Sequence, residues 1–119
     1  MDAGKPTSAL EHGARHQATL AMCDGKSGDA ELEKRIAHAM LECFELWKER
    51  HHKYGRGNIA EFGAQGCLVR ASDKMARLRK VYFAGSGDTP DESVEDSWKD
   101  GVNYFVMGLV CHRGGWPSA

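Results

Sequence analysis

The chain has 119 residues, of which 41% are hydrophobic, and this length suits one domain with a modest core. Its 16 Lys and Arg residues are offset by 17 Asp and Glu residues, so the net charge of -1 gives no general attraction to nucleic acid or an anionic membrane. No apolar run reaches the roughly 18 residues of a membrane-spanning helix, and the N-terminus lacks the apolar core of a signal peptide. We therefore expect a cytoplasmic protein without a transmembrane segment.

The N-terminal residues 1–28 are rich in small residues and show weak helical periodicity. We predict a flexible segment in which Glu11 to Met22 forms a short helix. The four cysteines of the chain are scattered and form no CxxC motif. Cys43, Cys67 and Cys111 are therefore expected to be small core residues rather than zinc ligands.

The first main helix is predicted from Asp29, a suitable N-cap, to about His52. Apolar residues recur along it at intervals of three and four, namely Leu32, Ile36, Ala39, Met40, Cys43, Leu46 and Trp47. An acidic row lies beside this stripe and contains Glu42, Glu45 and Glu49. A loop with two glycines follows and offers polar side chains, namely Lys53, Tyr54, Arg56 and Asn58.

The second main helix is predicted over about Ala64 to Phe83, where apolar residues alternate at intervals of four and three. Its other faces carry cations. Arg70, Lys74 and Arg77 share one of these faces by their spacing.

The third main helix is predicted from Pro90 to about His112, with Thr89 and Glu92 as a capping box. One of its faces carries polar residues spaced by four, four and three, namely Glu92, Asp96, Asp100 and Asn103. Its apolar surface consists of Val94, Trp98, Phe105, Val106, Leu109 and Val110.

These elements predict an all-α fold, an antiparallel bundle of three main helices over residues 29–113, followed by a C-terminal tail at 114–119. Three helices bury only a thin core, so we expect a homo-oligomer to complete the bundle.

The charged rows suggest a chemistry. Carboxylates on facing helices can chelate Mg²⁺, and Lys or Arg beside them can bind the phosphates that Mg²⁺ bridges. Tyr54 can stack on a base. The same pattern also suits an ordinary salt-bridged bundle, and both interpretations stay open here. Direct DNA binding through the basic helix is not expected, because acidic helices flank it.

Three blocks carry a resemblance: Lys53-Tyr54-Gly55, the stretch from Gly66 to Leu78, and the stretch from Glu92 to Tyr104. They resemble the nucleotide modification associated domain 1 family of phages, in the patterns R-x-x-D-K-x-x-R-L and E-S-x-x-D-x-x-x-D-x-x-N-Y. The chain also resembles the MazG-type all-α nucleoside triphosphate pyrophosphatases. Glu42 and Glu45 match their E-x-x-E spacing, and Asp96 stands in for the acid that precedes Asp100.

The resemblance implies an all-helical protein of phage nucleotide metabolism or DNA-base modification, in the cytoplasm of the host. It implies Mg²⁺-dependent hydrolysis of a nucleotide, expected to be a deoxynucleotide. Catalysis is then assigned to Glu42, Glu45 and Asp96, and metal binding to Glu45, Glu49, Asp96 and Asp100. Substrate binding is assigned to Lys53, Tyr54, Asn58, Arg70, Lys74, Arg77 and Asn103. The alternative is a module that binds a nucleotide or a partner enzyme without hydrolysis.

Overall fold

A computed structural model of the chain describes residues 9–85 and 93–118, and within these ranges the regular structure is entirely α-helical. The helices are α1 (Ala9–Met22), α2 (Ala30–Tyr54), α3 (Gly57–Ala84) and α4 (Val94–His112). The predicted all-α class is confirmed. None of these helices has the length and the apolar character that a bilayer crossing requires.

The chain divides into two compact units, one that ends at Glu42 and one that begins at Cys43. The first contains α1 and the first part of α2, whereas the second contains the rest of α2 with α3 and α4. The candidate site described below lies within the second unit. The domain boundaries expected from the sequence stay a prediction.

The first turn of α2 is fixed by two carboxylates. Asp29 accepts a hydrogen bond from the backbone N–H of Leu32 at 3.1 Å and is the N-cap, as predicted. Glu33 reaches back to the preceding loop, where it accepts hydrogen bonds from the N–H groups of Gly25 and Ser27 at 2.8 and 2.9 Å. The Ser27 hydroxyl also donates to this carboxylate, and that hydrogen bond, followed by those from the N–H groups of Ser27 and Gly25, lowers the pKa of the Glu33 carboxyl.

Helix α3 corresponds to the predicted second main helix and is longer than predicted. It begins at Gly57 instead of about Ala64 and contains a kink at Gly63, whose φ of 61° is a conformation that suits glycine. The segment before the kink, ambiguous in sequence, is therefore helical. At the other end, Gly85 adopts the left-handed conformation and its N–H bonds to the carbonyl of Lys80, which terminates the helix.

The last helix begins later than expected. Ser93 is the N-cap of α4, and its hydroxyl accepts a hydrogen bond from the N–H of Asp96 at 3.0 Å. The capping box that the sequence suggested at Thr89 and Glu92 lies outside the described residues. Ser93 and Thr89 both carry a hydroxyl that can accept a hydrogen bond at a helix N-terminus, so the sequence alone did not show which of them is the N-cap.

Packing within the second unit comes mainly from α3 against α4, which approach closely at Gly108. A Cβ atom added to Gly108 would lie 3.3 Å from Cβ of Cys67. Cys67 is buried there, and this burial raises the pKa of its thiol, with a further contribution from the thiol of Cys111. Cys43 is also buried, whereas Cys111 is half-buried.

The buried apolar residues are few and small. Among the described residues they are Ala37, Cys43, Cys67 and Ala71. Polar residues are buried in equal number, namely Thr19, Ser97, Asp100 and Asn103. Burial of large apolar side chains normally supplies most of the stabilisation of a fold. Here many large apolar side chains of the predicted stripes, such as Ile36 and Phe105, are exposed, and others, such as Leu78, are only half-buried.

Candidate functional site

A cavity of about 310 Å³ lies where α2 ends, α3 begins and the middle of α4 passes. Aromatic and cationic side chains line it, among them Trp47, Arg50, His51, Tyr54, Arg70 and Tyr104. Asn58 adds an amide group from the first turn of α3. We call this cavity the basic aromatic pocket. Its volume is at the lower end of the range for small-molecule sites, roughly 300–1,000 Å³.

The local sequence explains how the pocket forms. Trp47, Arg50, His51 and Tyr54 are spaced by three or four residues, so they share one side of α2. Gly55, with a φ of 72°, ends the helix there, and its N–H bonds to the carbonyl of His51 at 2.7 Å. The short connection then starts α3 at once and places Asn58 beside the end of α2.

The rings on the α2 side are held by contacts with one another. The Trp47 and His51 rings are stacked with centroids 4.7 Å apart. Trp116 from the C-terminal tail meets His51 edge-on at 5.9 Å, and its indole N–H donates to the carbonyl of Arg56 at 3.1 Å. Stacked and edge-on rings at such distances attract one another, so this wall of the pocket is preorganised.

Two guanidinium groups supply the positive charge of the pocket. Arg70 is exposed on α3, and Arg50 is exposed at the end of α2. A guanidinium group is planar and always charged, and it matches the oxygens of a phosphate or carboxylate with paired hydrogen bonds. The pocket is therefore chemically suited to a ligand that combines an anionic group with a flat ring.

Asp100 lies buried between two cations of neighbouring helices. Nη1 of Arg50 is 3.3 Å from its Oδ1, and Nζ of Lys74 is 3.4 Å from its Oδ2. Only 8% of Asp100 is exposed. Its charge is thus compensated by protein groups on both carboxylate oxygens, so Asp100 holds α2, α3 and α4 together through ion pairs.

The other carboxylates predicted to act with Asp100 lie in different surroundings. Glu42 belongs to the first unit and pairs with His38 at 3.3 Å and Arg15 at 3.9 Å. Glu45 is half-buried on α2, and Glu49 is exposed there. Asp96 is half-buried in the first turn of α4, where its backbone N–H is bound by Ser93.

These positions bear on the predicted magnesium site. Across residues 9–85 and 93–118, no three His, Cys, Asp or Glu side chains form a group that could hold one ion. Mg²⁺ is normally coordinated by several oxygen atoms. The described carboxylates do not converge in this way, and both oxygens of Asp100 already contact cations. The assignment of Glu45, Glu49, Asp96 and Asp100 to Mg²⁺ remains a prediction from sequence.

The residues predicted to bind substrate separate into two groups. Tyr54, Asn58 and Arg70 line the basic aromatic pocket, and the ammonium group of Lys53 lies 5.3 Å from the centre of the Tyr54 ring. The other three make contacts between helices. Lys74 pairs with Asp100, Nε of Arg77 donates to Oγ of Ser97 at 3.4 Å, and Nδ2 of Asn103 donates to the carbonyl of Cys43 at 3.0 Å.

Several pocket residues were missed by the sequence analysis. Trp47 was assigned to the apolar stripe, and Arg50 and His51 were given no role in the site. Their spacing relative to Tyr54 was the available signal, because it places them on one side of the same helix. Tyr104 lies next to Asn103 in the third block of the family pattern, but it was interpreted as an aromatic residue of the bundle and not as part of the site.

No family model matches this chain, and no curated protein or solved structure is significantly similar to it.

Proposed function

We propose that this protein binds a nucleotide in the basic aromatic pocket, with the phosphates at Arg50 and Arg70 and the base against the aromatic rings. The observation that carries this proposal is the position of two arginines beside Trp47, Tyr54 and Tyr104 in one cavity. Base stacking on an aromatic ring contributes roughly 1–3 kcal/mol, and charge-assisted hydrogen bonds add affinity for the phosphate.

The Asn58 amide gives the proposed site a means to select the ligand. An amide presents one acceptor and two donor hydrogens, so it can bond to the edge of a base or to a sugar hydroxyl. The family resemblance favours a deoxynucleotide of phage nucleotide metabolism or DNA-base modification. The proposal includes a cytoplasmic location, where such nucleotides are made and consumed.

Calorimetric titration with deoxynucleoside mono-, di- and triphosphates, each in Mg²⁺ and in EDTA, tests the proposal. We expect binding of at least one class, and we expect Arg70→Ala to weaken it at least tenfold, which is about 1.4 kcal/mol. Arg35→Ala is the matched control, because Arg35 is an exposed arginine of α2 in the first unit. An absence of binding, or equal affinities of the two variants, would contradict the proposed site.

The same titration examines the Mg²⁺-dependent hydrolysis that the resemblance implies. That activity, with Glu42, Glu45 and Asp96 as catalytic groups, is a second proposal for this chain. It predicts release of monophosphate and pyrophosphate in Mg²⁺ and none in EDTA. Tight binding of the nucleotide in both Mg²⁺ and EDTA, without hydrolysis, would support the non-catalytic alternative. In that alternative Asp100 stabilises the fold through its ion pairs and has no role in hydrolysis.

We also propose that the protein is a homo-oligomer. Its described residues bury only small apolar side chains, and a fold of this size ordinarily buries large ones.

A further inference from the structure

A second cavity lies between α3 and α4 and differs chemically from the basic aromatic pocket. It measures about 790 Å³ and is lined mainly by large apolar side chains, namely Met75, Tyr82, Phe83, Trp98, Val102 and Phe105. We call it the apolar groove. All six of these side chains are exposed, and Phe83 is the extreme case, with 87% of its surface accessible.

Two aromatic side chains of the groove, Tyr82 and Trp98, hold each other in place. The indole N–H of Trp98 donates to the hydroxyl of Tyr82 at 3.0 Å, and the two rings meet at 65° with centroids 6.0 Å apart. The indole N–H thereby has an acceptor within the chain, and the two ring surfaces remain as apolar contact area. A contiguous exposed apolar surface with ordered side chains is typical of an interaction site.

We infer that the apolar groove is the contact surface between two copies of this chain. The area agrees with this assignment. A fully buried aromatic side chain contributes roughly 150–250 Å² of contact area, so the exposed parts of the four groove aromatics offer roughly 500 Å² per copy. With Met75 and Val102 included, two copies would bury roughly 1,200 Å², the lower limit for a specific protein–protein interface.

The thin interior of the second unit favours a permanent partner. Among the residues of this unit that the structure describes, those that are buried and apolar are Cys43, Cys67 and Ala71, which together offer little apolar stabilisation. If the folded state is stable only when the apolar groove is buried, a partner must bind the groove in every folded molecule. A second copy of the chain is the partner that is always available in equal amount.

The charges around the groove also suit self-association. Arg79 lines the groove from α3, beside Lys74, whose ammonium group already pairs with Asp100. Asp96 and Glu95 lie near Trp98 in the first turn of α4, where Glu95 also pairs with Lys99 at 3.3 Å. In a two-fold interface a patch meets its own copy, so the cationic side of one copy can face the acidic side of the other. A patch with one sign of charge on both sides would repel its copy.

Sedimentation equilibrium at micromolar concentration tests the inference. We expect the wild type to show twice the chain mass of 13.1 kDa, and Phe83→Glu to weaken association at least tenfold. Phe62→Glu is the matched control, because Phe62 is also an exposed phenylalanine of α3, at 60%, but does not line the groove. We expect it to remain a dimer.

The inference rests on the proposed homo-oligomer, and a monomeric wild type would overturn both. A dimeric wild type with equal association of the two variants would overturn the assignment of the groove alone and leave the groove to a partner of other chemistry. Nucleotide binding has no part in this experiment, so the two proposals can fail separately. The basic aromatic pocket and the apolar groove share no lining residue.

A charge exchange addresses the case in which Phe83→Glu fails to fold. Arg79→Glu replaces one exposed charge and should weaken the dimer, because both sides of the groove then carry acids. Glu95→Arg added to Arg79→Glu restores opposite charges and should recover the association. A double variant no tighter than Arg79→Glu alone would contradict the two-fold arrangement.

Discussion

The two sides of α4 divide its residues in an unusual way. Ser97, Asp100 and Asn103 lie on the buried side, where they meet Arg77, Lys74, Arg50 and the carbonyl of Cys43. Trp98, Val102 and Phe105 lie on the other side and remain exposed in the apolar groove. In a self-sufficient bundle the apolar side would face inward, because apolar burial is the main stabilising term.

The two sides of α4 therefore make different contributions, one to the position of the helix and the other to its stability. Polar contacts are directional, so they define the position of α4 against α2 and α3 but contribute only modest net stability. Apolar contacts are not directional and stabilise in proportion to area, and that contribution is left for a partner surface. Substitutions on α4, and substitutions of carboxylates in different surroundings, test this division.

The largest expected effect on the folded chain comes from Asp100→Ala, which leaves Arg50 and Lys74 without their shared partner. Loss of one member of a fully buried pair costs 3–5 kcal/mol, and we expect about 2 kcal/mol here because Arg50 is nearly half exposed and its charge is screened by solvent. Urea unfolding of each variant would measure the loss.

The control for Asp100 is Asp73→Ala, which removes an exposed carboxylate of α3 and should change stability by less than about 0.5 kcal/mol. If both variants unfolded at the same urea concentration, the ion pairs of Asp100 would not be what holds the buried side of α4.

A smaller effect is expected at the two glycines of α4. Gly101→Ala and Gly108→Ala each gain about 0.5–1 kcal/mol of helix propensity. At Gly101 the added Cβ would meet Cβ of Lys74 at an ordinary 3.9 Å, whereas at Gly108 it would press on Cys67 at 3.3 Å. We therefore expect Gly101→Ala to be the more stable variant by thermal unfolding, and the opposite order would contradict the close approach of α3 and α4.

The smallest effect concerns Glu33, whose carboxylate is more accessible than that of the buried Asp100. Hydrogen bonds from Ser27 and Gly25 lower its pKa below the ordinary value of 4.5, so the loop contacts are stabilising above that pH. They are lost as the pH falls through the lowered pKa. The amide signals of Gly25 and Ser27 should then titrate together by NMR, with a midpoint below 4.5.

The variant Glu33→Gln supplies the reference for this titration, because its side chain carries no acidic proton and the two amide signals should lose the transition. A midpoint at or above 4.5 in the wild type would show that the carboxylate does not hold the loop.

The sequence predicted the secondary structure better than the packing. The all-α class, the N-cap at Asp29 and the end of α4 at His112 follow from local periodicity and capping, which act within a few residues. The extension of α3 through Gly63 did not follow, because glycine is usually a helix breaker and here it produces a kink inside the helix.

The candidate site was only partly accessible from the sequence. Tyr54, Asn58 and Arg70 were selected by residue type and by the family pattern, and all three line the basic aromatic pocket. The spacing of Arg50 relative to Tyr54 on α2 was a signal that was overlooked, whereas the position of Trp116 depends on its contact with Arg56, 60 positions away in the chain. No periodicity within a single helix reports such contacts.

By itself, the sequence determined that the chain forms amphipathic helices with separate charged and apolar sides, because side-chain spacing along a helix is a local property. Only the tertiary structure decided which side faces inward. Asp96, Asp100 and Asn103 share a face in sequence, but their surroundings differ because the neighbouring helices place Arg50 and Lys74 at Asp100 and the carbonyl of Cys43 at Asn103. The free energy of a buried polar group depends on its hydrogen-bond and ion-pair partners. These partners are distant in the sequence and come together only when the chain folds.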